Sequence, residues 1–320
     1  MKNPLKRDPS RTTMLRKKYI ADMQRRFSAV SRAIEELVVK DDAFGLITSK
    51  PLTFMQQVPN QAWRFASDAN KVKAYRKWLQ QQIDAKILTV DAVSGKPWTA
   101  AYAESAYQKG MMRAYTQINS SELAVSPDFY AGSKKQFLLD AFAQPASLAK
   151  VELMYMRAFD ELKGVTEVMG QQMSRILASG MIKGDGPRAI ARELEKNVST
   201  MTRTRAMAIA RTEVIYAHAE GQLDSFERLG VEEVGVMAEW STAGDDRVCE
   251  ECAGYSGEVF TVDEARGMVP LHTNCRCAWI PFVKGIHKKR KTALAKQRVA
   301  DKRLWAERKR RVLAGEPVTF

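Results

Sequence analysis

The sequence has few cysteines, few histidines and no long uncharged apolar run. Its 320 residues include four Cys and three His. No window approaches the roughly 20 apolar residues that span a bilayer, and the basic N-terminus is not followed by the apolar core of a signal peptide. We therefore expect a protein without a membrane segment that is kept in a cytoplasm. In that compartment, paired cysteines more often bind metal or stay reduced than form disulfides.

Acidic residues are too few to balance the basic ones, and the basic excess lies at the two ends. The net charge is +14, of which residues 1–26 carry +7 and residues 284–311 carry +11, so that the remaining residues sum to −4. This pattern indicates two basic arms on a slightly acidic body rather than a uniformly basic surface. We predict that the arms contact double-stranded DNA through its phosphates.

The C-terminal arm is the more strongly basic of the two. Its Lys, Arg, Ala and Leu residues favour a basic helical tail over residues 283–320, without an apolar face wide enough for burial. Two alternatives stay open: this tail could be solvated and partly disordered, and the N-terminal arm could meet an acidic protein surface. The predicted DNA contacts of the tail are Lys288, Lys289, Arg290, Lys291, Arg298, Lys302, Arg303, Arg308, Lys309, Arg310 and Arg311.

Apolar residues at helical spacing predict a mainly helical N-terminal region over residues 1–164. The first helix carries an apolar seam spaced by three and four residues. The seam residues are Ile20, Met23, Phe27, Val30, Ile34 and Leu37. In this region, helices are expected at 13–40, 67–88, 98–118 and 146–181, and the last of these ranges fits one or two helices. Further along the chain, one helix is expected to begin at Pro187 and another to cover 200–229.

The pattern changes after residue 230, where short β-rich runs alternate with turns. The runs "VEEVGVMAEWST", "GEVFTV" and "RCAWIPF" predict a small antiparallel sheet with the cysteines in its loops. We therefore predict an α+β fold, in which a second domain over residues 165–282 combines helices with this sheet.

All four cysteines lie in two short segments near the C-terminal end. Cys249 and Cys252 form a C-x2-C pair, and His272, Cys275 and Cys277 follow as H-x2-C-x-C. Zinc takes four Cys or His ligands in a tetrahedral shell, so five candidates leave one to spare. We predict a structural zinc site, although structural thiols or a disulfide formed after lysis remain alternatives. A catalytic zinc is disfavoured because no carboxylate stands in an H-x-E motif.

Several motifs occur in a defined order around these cysteines. They are Arg211, Thr212 and Glu213 on one helix, Trp240, Asp246 and Arg247 before the C-x2-C pair, and the H-x2-C-R-C segment. Residues 165–282 thereby resemble the phage Mu F-type head morphogenesis family of minor head proteins.

The resemblance implies a virion protein of a tailed bacteriophage or prophage. Such a protein would be made in the host cytoplasm and would join the prohead near the portal. It would contact portal, capsid or scaffold proteins, and would act in DNA packaging or ejection. The family is not an established enzyme family.

The residues themselves suggest two further hypotheses, a nucleic-acid-modifying enzyme and a zinc-ribbon transcription regulator. Arg211, Glu213 and His218 lie on one predicted helix and could serve phosphodiester cleavage or nucleotide transfer. We favour the competing interpretation, in which Arg211 and Glu213 form buried ion pairs that anchor the helix to the sheet. A zinc-ribbon transcription regulator would leave the long helical region unexplained.

Overall fold

The computed structural model describes residues 8–45, 68–119, 133–229, 236–245 and 247–283. Helices make up 71% of the structure, and a three-stranded antiparallel sheet lies in the C-terminal part. The predicted α+β class is therefore confirmed. The basic tail with all its candidate DNA contacts, and Asp246, lie outside the described residues.

Each predicted helix has a counterpart in the structure, and 146–181 belongs to one long helix rather than two. The predicted helix over 200–229 begins with a π-helical turn, and the helices at 134–143, 250–255 and 262–265 were not predicted. In chain order the helices are α1 (Thr13–Glu35), α2 (Asp68–Lys86), α3 (Ala100–Asn119), α4 (Lys134–Ala143), α5 (Pro145–Lys183), α6 (Pro187–Met201), α7 (Met207–Arg228), α8 (Glu250–Tyr255) and α9 (Val262–Ala265). Two π-helical turns, Glu36–Lys40 and Thr202–Ala206, follow α1 and α6. None of the helices in the described ranges combines the length and the apolar character that crossing a membrane requires.

The chain divides into two compact units. A sheet unit comprises Met1–Lys18, Thr99–Tyr155 and Arg211–Phe320, and a helical unit comprises Tyr19–Trp98 and Met156–Ala210. Both units are therefore built from separated stretches of sequence. The sequence-based boundaries at 164/165 and 282/283 stay predictions.

The buried stripe of α1 in the helical unit differs from the predicted seam at its two ends. Tyr19 and Val38 are buried at these positions, whereas Ile20 and Leu37 are only partly buried. A seam with a 3.5-residue period suits a supercoiled helix, while an α-helix advances 3.6 residues per turn. The π-helical turn that begins at Glu36 holds still more residues per turn, so the buried face moves on to Val38.

The turn between α5 and α6 follows the sequence prediction closely. Gly184 adopts φ +73°, which a residue without a Cβ does at little cost. Pro187 occupies the first turn of α6, where its missing N–H leaves no helix hydrogen bond unmade. Gly180 lies so close to Ile190 that an added Cβ would meet its Cγ1 at 2.6 Å. Glycine therefore lets the two helices of this hairpin pack closely.

The sheet of the other unit has the strand order β2-β1-β3. The strands are β1 (Val236–Ser241), β2 (Val259–Phe260) and β3 (Ala278–Val283), and both pairings are antiparallel. Trp240 pairs with Trp279 across β1 and β3, and their rings meet edge to face at 5.3 Å. Both indoles are fully buried. The motif residue Trp240 thus forms the core of the sheet.

Helix α7 supports both the sheet and α3. The Gln222 side chain donates to the Trp279 carbonyl at 2.8 Å and accepts from the Trp279 N–H at 3.1 Å. A helix side chain thereby pairs with the backbone of β3. On the α3 side, a Cβ at Gly110 would lie 2.0 Å from the His218 carbonyl oxygen, and one at Gly221 would lie 2.2 Å from the Tyr107 carbonyl oxygen. Only glycine permits this approach of the two helix backbones.

Candidate metal centre

Two loops of the sheet unit bring all five predicted ligands together. Cys249 caps the N-terminus of α8 and Cys252 lies within that helix, while His272, Cys275 and Cys277 lie in the segment that leads into β3. Their ligand atoms form two triads, Cys249–Cys252–His272 and Cys252–Cys275–Cys277. Within each triad the atoms lie within 4.8 Å of one another. Cys252 belongs to both triads and therefore lies at the centre of the cluster.

The distances within the cluster are close to those around a tetrahedral zinc ion. His272 Nε2 lies 3.2 Å from the Sγ atoms of both Cys249 and Cys252, and the Sγ atoms of Cys252 and Cys275 are 3.8 Å apart. Zn–S bonds of about 2.3 Å and Zn–N bonds of about 2.0–2.1 Å place tetrahedral S···S pairs about 3.8 Å and S···N pairs about 3.6 Å apart. Each of these three distances is therefore within about 0.4 Å of the spacing around a zinc ion.

The histidine is oriented for metal binding by a backbone contact. His272 Nδ1 lies 2.8 Å from the carbonyl oxygen of Thr273. A hydrogen on Nδ1 makes this bond, and the lone pair of Nε2 then faces the two thiols. Metal-binding histidines are commonly held in this way by a partner on the second ring nitrogen.

The thiols influence one another strongly. The hydrogen bond from Cys252 is the main cause that lowers the pKa of Cys249 to about 6, and the same thiol is the main cause that lowers the pKa of Cys275. As the donor, Cys252 has its own pKa raised, most of all by its bond to Cys249. Thiolates are the metal-binding form of cysteine. Cys249 and Cys275 thus ionise more readily than a free cysteine, and both interact with Cys252.

A buried carboxylate fixes the loop before the C-x2-C pair to the loop that carries H-x2-C-x-C. Asp245 accepts hydrogen bonds from Arg276 Nη1 at 2.7 Å and Nη2 at 2.5 Å, and from Arg247 Nη2 at 3.0 Å. Burial by itself raises the pKa of Asp245, but the bonds from Arg276 lower it to about 2. The sequence analysis named Asp246 as the acidic motif residue, and the observed ion pair belongs to its neighbour Asp245.

The Arg-Thr-Glu motif of α7 reaches the same loop. Arg211 Nη1 donates to Asn274 Oδ1 at 3.0 Å, and Asn274 adopts φ +65°, a conformation in which Asn is enriched. Thr212 is partly buried and Glu213 is buried. The bond of Arg211 therefore attaches α7 to the H-x2-C-x-C segment, in addition to the contact of α7 with β3.

The third residue of the hypothetical catalytic helix lies in a different environment. His218 is 1% exposed, and burial lowers its pKa to about 3. Its imidazole is therefore neutral at neutral pH. A general acid or base needs a pKa near the working pH, and the pKa of His218 lies well below it.

A charged network on α7 escaped the sequence analysis. Asp224 accepts from Lys150 at 2.6 Å and from Arg266 at 2.8 Å, and Tyr107 also donates to it. Glu220 accepts from Arg266 at 3.1 Å. Burial opposes ionisation of Asp224, but the bonds from Lys150 and Tyr107 lower its pKa overall. The available signal was a pair of acidic residues four apart, Glu220 and Asp224, beside apolar residues of the same helix, which indicates buried partners on other elements.

The comparisons with known proteins agree with this site. Residues 171–280 match the family model described as phage Mu protein F like protein. Searches of curated proteins and of solved structures give no significant match. The matched range includes the whole Cys/His cluster, and the family suggests a phage head morphogenesis protein. Over residues 171–280 the chain is thus similar to the phage Mu protein F like family.

Proposed function

We propose that this protein is a minor head protein of a tailed phage or prophage, which joins the prohead near the portal and contacts DNA during packaging or ejection. The observation that carries the proposal is the match of residues 171–280 to the Mu F-like family. The charge distribution supports the DNA part, because +18 of charge lies in residues 1–26 and 284–311 while the rest of the chain sums to −4.

Within this proposal, zinc acts as a structural clip. The five ligand atoms come from α8 and from the segment before β3, so that one ion would join both loops that flank the sheet. Metal sites with a full set of protein ligands and no open position are structural rather than catalytic. A small sheet gains much from such a clip, since metal binding contributes directly to folding free energy.

The contacts favour four particular ligands. Cys249, Cys252 and His272 form one triad, and Cys275 is 3.8 Å from Cys252. These four residues would complete a tetrahedral shell once Cys275 moves towards the first triad, since the two triads share only Cys252. Cys277 is then a buried fifth thiol. With this choice, Cys275 and Cys277, which are separated by a single residue, do not both have to bind the same ion.

Metal analysis tests the clip directly. Protein purified under reducing conditions without chelators is expected to hold one zinc per chain by elemental analysis. Cys252→Ser should lose the zinc, whereas Cys277→Ser should retain it and serves as the matched control. A wild-type protein without metal, with four freely reactive thiols, would refute the clip while leaving the head function untouched.

Assembly experiments test the place of the protein in the virion. Proheads assembled with the full chain should contain it at low copy number by quantitative mass spectrometry. Omitting the portal protein should abolish this incorporation if the chain docks at the portal. Equal incorporation into portal-less shells would instead assign the contact to capsid or scaffold protein, and complete absence from proheads would contradict the proposal.

The DNA contact predicts a steep salt dependence. A variant with the eleven candidate basic residues between Lys288 and Arg311 changed to Gln should bind duplex DNA far more weakly. The slope of log K against log salt should also flatten by about 0.9 for each lost phosphate contact. A control with Arg192→Gln and Lys196→Gln, both on α6, should keep the wild-type slope. An unchanged slope in the tail variant would exclude the tail from DNA binding.

A nucleic-acid-modifying enzyme remains the alternative function. His218 is buried and neutral, and Arg211 binds Asn274, so these residues favour a structural role. Glu213→Ala and His218→Ala should leave any nuclease signal at background in assays with added Mg²⁺, Mn²⁺ or Zn²⁺. Turnover of DNA or RNA by the wild type that both substitutions abolish would establish the enzymatic alternative.

A further inference from the structure

A second group of polar side chains, each with a buried nitrogen atom, lies in the sheet unit, and the metal centre does not use it. It comprises His218 on α7, Arg113 on α3 and Arg16 near the start of α1, and we name it the α3–α7 cluster. His218 Nε2, Arg113 Nε and Arg16 Nε are each buried without a hydrogen-bond partner in the described part of the chain. Buried donors of this kind are rare, because each costs about 1–3 kcal/mol when it is left unsatisfied.

The helix crossing places these groups near one another. Gly110 of α3 meets the backbone of His218 so closely that a Cβ would lie 2.0 Å from its carbonyl oxygen. Arg113 follows Gly110 by three residues and so lies on the same side of α3. After burial, the charge of Arg113 is the largest cause that lowers the pKa of His218, Arg16 and Lys109 act in the same direction, and Asp8 opposes them. More positive than negative charge thus acts on one buried imidazole.

The nearby carboxylate of Asp8 compensates this group only in part. Asp8 accepts from the Ser10 N–H at 3.1 Å, from Ser10 Oγ and Thr13 Oγ1 at 2.7 Å each, and from Arg16 Nη2 at 2.5 Å. These donors occupy both of its oxygens, and only the last one belongs to the cluster. Burial, followed by the charge of Arg11, lowers the pKa of Arg113 to about 10. Arg113 is therefore a partly buried cation whose charge is compensated only in part.

The missing partner should be an anion with several acceptor oxygens. Guanidinium groups bind phosphate with paired N–H donors, and a neutral imidazole with its hydrogen on Nε2 adds a further donor. We propose that Arg113, Arg16 and His218 form a binding site for a phosphate group. The group could be free inorganic phosphate or a phosphodiester of the DNA backbone, which share this chemistry. The inference does not depend on the zinc clip or on the family assignment.

The first experiment titrates the full chain with inorganic phosphate at constant ionic strength and follows Tm and the heat of binding. A saturable rise in Tm that acetate does not reproduce is expected. Arg113→Gln should weaken the apparent affinity at least tenfold, and Arg113→Lys should weaken it less. Arg192→Gln, an exposed position of the helical unit, should leave the affinity unchanged.

The second experiment separates the two sources of phosphate. If DNA supplies the group, Arg113→Gln should reduce the salt slope of duplex binding by about one contact, and Arg192→Gln should not. If the slope is unchanged while free phosphate binds saturably, the site takes inorganic phosphate. The proposal is overturned if the wild type shows no saturable phosphate binding and the slope is also unchanged, or if acetate acts as strongly as phosphate. The wild-type titration decides the first point even if an Arg113 variant fails to fold.

Discussion

The two compact units bury different kinds of side chains. Among the described residues, the buried polar side chains of the helical unit are two threonines, Thr166 and Thr202. The sheet unit buries charged or titratable groups as well. These are Glu213, His218, Glu220, Asp224, Glu239 and Asp245. Buried charges are tolerated only with specific partners, so the sheet unit depends on named pairs where the helical unit depends on apolar packing.

The two units therefore differ in the kind of interaction that stabilises them. Apolar packing in the helical unit is non-directional and accepts similar side chains of similar volume. The contacts of the sheet unit are directional: Asp245 needs Arg276, Asn274 needs Arg211, and Trp279 needs Gln222. We therefore expect single substitutions to have unequal consequences in the two units.

Metal removal should produce the largest difference between the units. Structural zinc sites contribute on the order of 10 kcal/mol of binding free energy, and all candidate ligands lie in the sheet unit. Chelation is expected to abolish hydrogen-exchange protection in β1 and β3, while α1 and α2 keep theirs. Mass spectrometry of peptides from each region measures this. Equal loss in both regions would mean that the units do not unfold separately.

Breaking the charged network on α7 should have the next largest effect. Asp224→Asn removes one carboxylate from Lys150 and Arg266, which both keep their contact with Glu220. Loss of a buried hydrogen-bond partner typically costs about 1–3 kcal/mol, which we expect to see as a lower free energy of unfolding by urea. The control Asp160→Asn breaks an exposed pair with Lys163 in the helical unit, where about 0–1 kcal/mol is expected. Similar losses in the free energy of unfolding for both variants would show that the two units do not differ in this respect.

A glycine pair tests backbone packing. Gly221→Ala places a Cβ about where the Tyr107 carbonyl lies, at 2.2 Å, and should destabilise the protein by about 1–3 kcal/mol through overpacking. Gly164 on α5 has open space around its Cβ position, so Gly164→Ala should be neutral or stabilise by up to about 1 kcal/mol. Denaturant midpoints of the two variants should move in opposite directions, and a stabilising Gly221→Ala would show that α3 and α7 are not this close.

The smallest effect concerns the helical unit and depends on pH. Burial, followed by the charge of Glu35, raises the pKa of Glu195. A raised carboxyl pKa means that stability is complete below the unfolded value and is lost as the pH rises through the folded value. Glu195→Gln should therefore stabilise at pH 7, by no more than a few tenths of a kcal/mol because the site is largely solvated. The gain should vanish near pH 4 in paired Tm measurements, and a constant gain would exclude titration as its cause.

Local patterns in the sequence were sufficient for most of the fold. The helix that begins at Pro187, the three short strands and the α+β class follow from periodicity and turn residues, which act over a few neighbours. The α1 seam was wrong by one residue at each end. An α-helix advances 3.6 rather than 3.5 residues per turn, and the π-helical turn at the C-terminal end leaves no clear signal in side-chain spacing. The resemblance of residues 165–282 to the Mu F-type family is confirmed by the match over residues 171–280.

The sequence also singled out the five metal-ligand candidates, since thiols and imidazole at knuckle-like spacing share one chemistry. It did not give the partners that hold them. Asp245 and Arg276 are 31 residues apart, and Arg211 and Asn274 are 63 apart. Such pairs depend on which elements meet in space, and no local pattern specifies that.

The sequence by itself determined the secondary structure, the basic ends and the inventory of thiols, because each of these depends on composition or on short-range order. The tertiary structure alone decided that Cys252 joins two triads, that His218 is buried beside Arg113 rather than exposed for catalysis, and that Gly110 and Gly221 allow α3 and α7 to touch. The physical reason is burial. Whether a charged or polar group becomes a ligand, an ion pair or an unsatisfied donor depends on the atoms that replace water around it.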